Sequence, residues 1–377
     1  MTKRITVLLL GLACAPSPSP PTLALTHVTV VDVRTGKTIP DQTVVIRGRR
    51  IVRVGDASRT TVPDSAAVVD GSGKYLIPGL WDMHVHLDSN DLPALLNLGI
   101  TGARDMGGDL DKLLSWRRRI SAGELAGPRL VFAGPMLRGA LTAEQGIRAV
   151  DSLATRGADF IKVHEGLSRD AYFAIVREAR ARHIPFVGHV PAGISPIEAS
   201  DAGQLSIEHV EFIPDTCLGI FAATSTTCTH AALDSLLAHL ARNGTWLDPT
   251  IGSFRVFSPK QWPAIFAGFK DLVPLLRAHH LGLLAGTDLG TTGIVPGASL
   301  HDELSLLVSA GYTPAEALRA ATLNPARFLG LADSLGTVEP DKLADLVLLE
   351  RDPLVDIRNT RRITVVIQGG TIRQASP

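Results

Sequence analysis

Between residues 79 and 334 the chain repeats one pattern that few folds accommodate: a short apolar strand, a polar stop, then an amphipathic helix. GLWDMHVHL is followed by GITGARDMG, RLVFAGP, ADFIKVH, PFVGHV, LSIEHV, WLDPTI and LLAGTD. Helical stretches such as LDKLLSWRRRI, RDAYFAIVREARARH, AALDSLLAHLARNG and FAGFKDLVPLLRAHH lie among them. Strands that are apolar on both sides need cover on both faces, which crossover helices give a parallel sheet. Eight such units predict an α/β fold with a closed (β/α)8 TIM barrel over 79–334. An open doubly wound sheet is the alternative. It normally brings a glycine-rich phosphate turn after its first strand, and none is present here.

The flanks have a different texture. LTHVTVVDV, QTVVIRGRRIVRVG and AAVVDGSGKYLIP alternate with period two, and DLVLLERDP and ITVVIQGGTIRQ repeat the style near the end. Neither flank holds the roughly seven strands of an independent sandwich. Together they predict a small composite β-sandwich domain built from residues 22–78 and 335–377.

The first 21 residues read as a targeting segment. Lys3 and Arg4 precede an apolar run from Ile5 to Ala13, too short for the roughly 20 residues that span a bilayer but suited to a secretory signal. Two outcomes are open: cleavage after Ala13-Cys14-Ala15, or lipidation of Cys14 to give a membrane-anchored lipoprotein on the PSPSPPT tether. Either predicts export to the periplasm or beyond. Cys217 and Cys228 then form a disulfide, worth roughly 3 kcal/mol on the chain-entropy model, or remain two buried thiols. A formal net charge of zero argues against nucleic acid as a partner, and few aromatics argue against a stacking platform for single strands. A small-molecule substrate is the expected partner.

Residues two apart on a strand share a face, so Asp82, His84 and His86 project together, the histidines nearest the strand's carboxyl end. That is the end at which barrels build active sites. Two imidazoles one pleat apart can reach one cation, although a lone His-x-His also arises by chance. Four more polar residues close strands: Lys162 in ADFIKVH, His189 after PFVG, His209 after LSIE and Asp288 after LLAGT. A single such residue is explained as a solvated strand end; six on five strands are not. Lys162 is the odd member, since an ammonium has no lone pair to offer a cation. Its alternatives are a mouth lysine paired with an acid, or a carbamate formed with carbon dioxide that bridges two metals.

With these residues in place, the sequence resembles the amidohydrolase superfamily, in particular its binuclear, imidazolonepropionase-like members that include dipeptidases and carboxypeptidases. IPGLWDMHVHL resembles the entry to the first strand, TPAEALRAATLNPARFLGL the final helices, and GTVEPDKLADLVLLERDPL the return to the small domain. The resemblance implies metal ligands at His84, His86, Lys162, His189, His209 and Asp288, with two divalent ions, zinc first, and carbamylated Lys162 as bridge. It implies a hydroxide nucleophile between the metals and Asp288 as the proton shuttle in hydrolysis of an amide bond. Cyclic-amide, lactone or ester hydrolysis fits the same centre. Deaminases of the superfamily usually carry one metal and lack the lysine, and a non-catalytic periplasmic metal- or solute-binding protein would not need Asp288.

Other residues carry weaker signals. His164 shares the Lys162 face and can touch substrate. Arg138, in PMLRGALTAE, can clamp a carboxylate or simply be solvated; related peptidases commonly have a glycine–histidine stretch in this loop. Asp82 and Arg104 are expected to form a buried pair. His279 and His280 read as an exposed helix end, and His301 as a packing residue of a late helix.

Overall fold

A computed structural model describes residues 22–210 and 230–375. The proposed signal segment with Cys14, and Cys217 and Cys228, lie outside the described residues. Among the described residues no helix is long and apolar enough to cross a membrane.

The period-two flanks form one hydrogen-bonded sheet rather than two separate ones. Its strands are β1 (Thr22–Asp32), β2 (Lys37–Arg47), β3 (Arg50–Asp56), β4 (Ala67–Asp70) and β5 (Tyr75–Pro78). After an intervening barrel come β14 (Leu346–Leu349), β15 (Ile363–Gln368) and β16 (Thr371–Ala375). The order is β16-β15-β14-β5-β1-β2-β3, with β4 also on β1. The sheet curls over a shared core in which Leu25, Val44 and Ile51 of the first flank meet Leu346, Leu348 and Ile367 of the second.

The barrel strands are β6 (Leu80–Val85), β7 (Ile100–Asp105), β8 (Arg129–Phe132), β9 (Ile161–Val163), β10 (Phe186–Gly188), β11 (Ser206–Glu208), β12 (Trp246–Asp248) and β13 (Gly282–Leu283). All paired neighbours are parallel, in arcs β6-β7-β8 and β9-β10-β11-β12-β13. Isolated bridges join the arcs, Leu137 to Val163 on one side and Val85 to Leu289 on the other. Strand residues are buried almost throughout, which accounts for their unbroken apolar reading. Helices cover the outside. Several begin with the sequence signature of a capping box, such as Thr142–Gln145, Ser195–Glu198 and Thr313–Glu316.

Two close approaches require glycine. Gly188 ends β10 at φ 136°, where a Cβ would lie 2.0 Å from the Val163 carbonyl oxygen. Gly286 passes over His84, where a Cβ would meet the His84 nitrogen at 2.7 Å.

Candidate metal centre

The six strand-end residues singled out in the sequence meet at one end of the barrel. His84, His86, Lys162, His189, His209 and Asp288 line a single cavity of about 380 Å³. The His84 ring lies 5.5 Å from that of His86 and 4.8 Å from that of His209, which is 4.8 Å from that of His189. Asp288 Oδ1 is 3.5 Å from His84 Nε2 and 3.4 Å from His86 Nε2. Donor atoms of His84, His209 and Asp288 fall within 4.8 Å of one another, close enough for one ion.

Backbone conformation aims these groups. His209 (φ 63°), Asp288 (φ 61°) and Thr250 (φ 42°) are left-handed without being glycine. Such conformations are costly and gather where a site needs them. Beyond β11 and β13 they turn His209 and Asp288 out of the strand path. His209 Nδ1 then sits 2.6 Å from Thr250 Oγ1.

The rings are held from behind. His84 Nδ1 lies 3.0 Å from Glu208, leaving Nε2 toward Asp288. His86 Nδ1–H donates to the Gly107 carbonyl at 3.1 Å. Asp105 accepts from the backbone N–H of Leu87 and Gly107 at 2.8 and 3.0 Å, fixing the loop behind His86. Partners on the far ring nitrogen fix tautomer and orientation in metal-binding histidines.

Electrostatics keep most of these donors neutral. Burial, then the Lys162 charge, holds His84 and His189 well below the usual histidine range. Burial lowers His209 to about 3. His86 differs: burial opposes its charge, but the Asp288 hydrogen bond and charge prevail and raise it. Lys162 is fully buried, and desolvation brings it to about 8. Its Nζ has no hydrogen-bond partner among the described residues. Clustered, mostly neutral imidazoles beside a carboxylate fit a divalent metal centre better than they fit a folding role.

His164 also lines the cavity, stacked on His189 with ring centroids 3.9 Å apart. Its Nδ1 accepts the Glu165 N–H at 2.8 Å, and burial lowers it to about 4. Arg138 is exposed and does not line this cavity. His280 is exposed, whereas His279 is partly buried, 2.7 Å from Asp234. His301 is buried between Thr360 Oγ1 and the Leu98 carbonyl, at 2.9 and 3.0 Å.

The expected Asp82–Arg104 pair does not form, although both are buried. Asp82 accepts from Thr287 Oγ1 at 2.7 Å and Thr287 N–H at 3.0 Å. Arg104 reaches Glu208 at 2.8 Å and Asp248 at 3.1 Å. Two carboxylates answer a buried guanidinium better than one, and Asp82 is already satisfied by Thr287. His84, Glu208 and Asp248 also have clustered donors, but the Arg104 guanidinium supplies the positive charge there. Sequence reasoning passed over Glu208, Thr250, Asp105 and the apolar wall of Met136, Phe254 and Phe257. Glu208, a buried acid adjacent to His209 at the end of β11, was the readable signal.

Residues 75–373 match the model of the amidohydrolase family. An adenine deaminase of Rubrobacter xylanophilus is 26% identical over 93% of this chain and 58% of its own length. The chain thus spans little more than half of that relative. An imidazolonepropionase of Pseudomonas paraeruginosa is 26% identical over 86% of this chain and 91% of its own. The solved structure of a Xaa-Pro dipeptidase with bound methionine in its active site superposes with a TM-score of 0.79 at 21% identity, covering 94% of this chain and 100% of that one. A barrel with its rim of histidines, the small sheet drawn from both chain ends and the family match agree: the chain belongs to the amidohydrolase family.

Proposed function

We propose that the chain is an exported, metal-dependent hydrolase of an amide carbon–nitrogen bond, in a dipeptide or an N-acyl amino acid. His84, His86 and Asp288 would hold one divalent ion, His189 and His209 a second, with zinc the expected metal and a carbamate on Lys162 the bridge. The observation that carries this reading is the Lys162 amine, fully buried and without a hydrogen-bond partner among the described residues, on a wall it shares with five histidines and an aspartate. At about 8 its neutral form is available near neutral pH. Its lone pair forms a bond to carbon dioxide and one N–H proton is released, leaving an anionic carbamate.

When bound, the ions would supply an activated water near neutral pH and polarise the scissile carbonyl. The chain's own residues handle protons and position. Asp288 stays a carboxylate, because its bond to His86 and the surrounding positive charge outweigh burial. It can therefore take the proton of the attacking water and hand it to the leaving nitrogen. His164, neutral and with Nδ1 occupied by the Glu165 N–H, offers an Nε2–H donor to the substrate. Glu208 and the Gly107 carbonyl keep the His84 and His86 rings from turning.

The adenine deaminases among the relatives favour a second reading, release of ammonia. One screen separates the two. Zinc-loaded protein in bicarbonate is offered N-acyl amino acids, dipeptides and aminopurines, and free amino acid and ammonia are measured. Amino-acid release that disappears in Lys162→Ala supports the proposal. Ammonia release alone supports deamination, and retained metal with no turnover supports a binding protein.

A further inference from the structure

We infer that the apolar side of this cavity selects an uncharged aromatic or branched aliphatic group next to the scissile amide, with Phe257 as the specificity-determining residue. The inference rests on the hydrolase reading above and narrows its substrate class.

Beside the histidines, Lys162 and Asp288 the cavity lining includes the apolar Met136, Phe254 and Phe257, with Ser253, Thr291 and Glu165 among them, and the Phe254 ring lies edge-on to His209 at 6.5 Å between centroids. Phe254 is 5% exposed and serves the core, but Phe257 is 53% exposed and Val256 beside it 38%. A single exposed apolar residue is ordinary on a protein surface. A half-exposed phenyl ring on the wall of a cavity that also holds reactive groups is the kind of apolar area that marks a ligand contact.

This wall is built before any ligand arrives. Phe254–Phe257 is a short helix entered through Ile251–Ser253. Glu303 accepts the N–H of Ile251 at 2.9 Å and of Gly252 at 2.7 Å, and the Ser253 hydroxyl donates to the Thr250 carbonyl at 2.8 Å. A preformed wall spares the ordering cost of binding.

Charge points the same way. Among the described residues Lys162 is the one lysine or arginine lining the cavity, and the metal centre claims it. Arg255, on the short helix, lies 4.9 Å from the centroid of the Trp262 ring. Glu165, with its side chain 65% exposed, also belongs to the lining. Arg138 acts on His164 from outside the lining, but a substrate anion placed against Phe257 would give up water to a wall that offers no lysine or arginine besides Lys162 among the described residues. An apolar group there would release water from phenyl and thioether surface.

The test compares N-acetyl-alanine, N-phenylacetyl-alanine, N-succinyl-alanine and N-acetyl-phenylalanine on the zinc-loaded protein. An aromatic group on one side of the amide should raise kcat/KM at least about tenfold over N-acetyl-alanine, mainly through KM, and the succinyl compound should be the poorest. Phe257→Ala should shrink the aromatic-to-acetyl ratio to within about threefold, and Phe257→Leu should keep most of it. Affinities of phenylacetyl- and acetyl-alanine for Asp288→Asn are titrated in parallel. An aromatic preference in binding without hydrolysis by the wild type would uphold the inference and overturn the hydrolase reading. The inference is overturned if the acetyl or succinyl compound matches the aromatic ones, or if Phe257→Ala leaves the ratio unchanged.

Discussion

On the proposed reading, the chemistry of the centre turns on one atom, the buried Lys162 Nζ. Among the described residues the ammonium form of Lys162 would be buried without an acceptor, and loss of water is the chief influence that lowers its pKa. Replacing it by methionine should therefore leave metal-free protein at least as stable, read as an unchanged or higher urea midpoint. Lys162→Ala should cost the centre its bridge, cutting bound zinc from about two ions per chain to one or fewer, with partial recovery in short-chain carboxylic acids. Asp288→Asn should keep the fold while lowering turnover roughly 10²–10⁴-fold, measured as amino-acid release. These residues were legible because a strand fixes which side chains share a face and a polar residue closing an apolar run is conspicuous. The partners of Arg104 were not. Glu208 and Asp248 stand 104 and 144 positions away, and only the closing of the barrel brings them to it. Asp82 likewise finds Thr287 across 205 positions.

The element that most shapes the site is the turn from β12 into the short helix. WLDPTI reads as strand through Ile251, but the strand ends at Asp248, because Pro249 has no N–H to donate to a ladder. Thr250 then adopts φ 42°, which nothing in its side chain announces, and meets His209 at 2.6 Å. Glu303, on the helix Ala298–Ala310, holds this turn through two backbone N–H groups. Removing its carboxylate leaves the buried Ile251 N–H and the partly buried Gly252 N–H without their acceptor. Glu303→Ala should cost about 2 kcal/mol or more in urea unfolding and, by loosening Thr250 behind His209, weaken zinc binding about 10–100-fold. A change in stability with full zinc affinity would mean that Glu303 supports only the fold.

At the scale of the molecule, the flanks 22–78 and 335–375 share one sheet and core, and the second flank is tied to the barrel. Asp345, just before β14, pairs with Arg129 at 3.0 Å and accepts the Gly369 N–H at 2.7 Å. Gln368 donates to the Gly127 carbonyl at 2.9 Å. His301 ties a barrel helix to the chain on either side, at Leu98 and Thr360. Burial, only partly offset by its bond to the Leu98 carbonyl, lowers it to about 4. A histidine kept neutral when folded binds its proton more readily when unfolded. Its contribution is therefore intact above about pH 6.5 and lost as pH falls toward 4, by roughly 3 kcal/mol in all. Metal-free His301→Asn should show a shallower fall in urea midpoint between pH 7 and 4.5 than the wild type. The alternating pattern announced both the barrel and the two-ended small domain. Merging of the flanks into one curled sheet was not readable, since strand order depends on pairing between residues some 270 positions apart, as in Leu76 with Leu348.

The most direct test is an anomalous difference map at the zinc edge from crystals grown with zinc and bicarbonate. The account predicts two peaks per chain, one beside His84, His86 and Asp288 and one beside His189 and His209, with density for a carboxyl group on Lys162 Nζ between them. A single peak, or a pair flanking a Lys162 that ends at a bare amine, would contradict it.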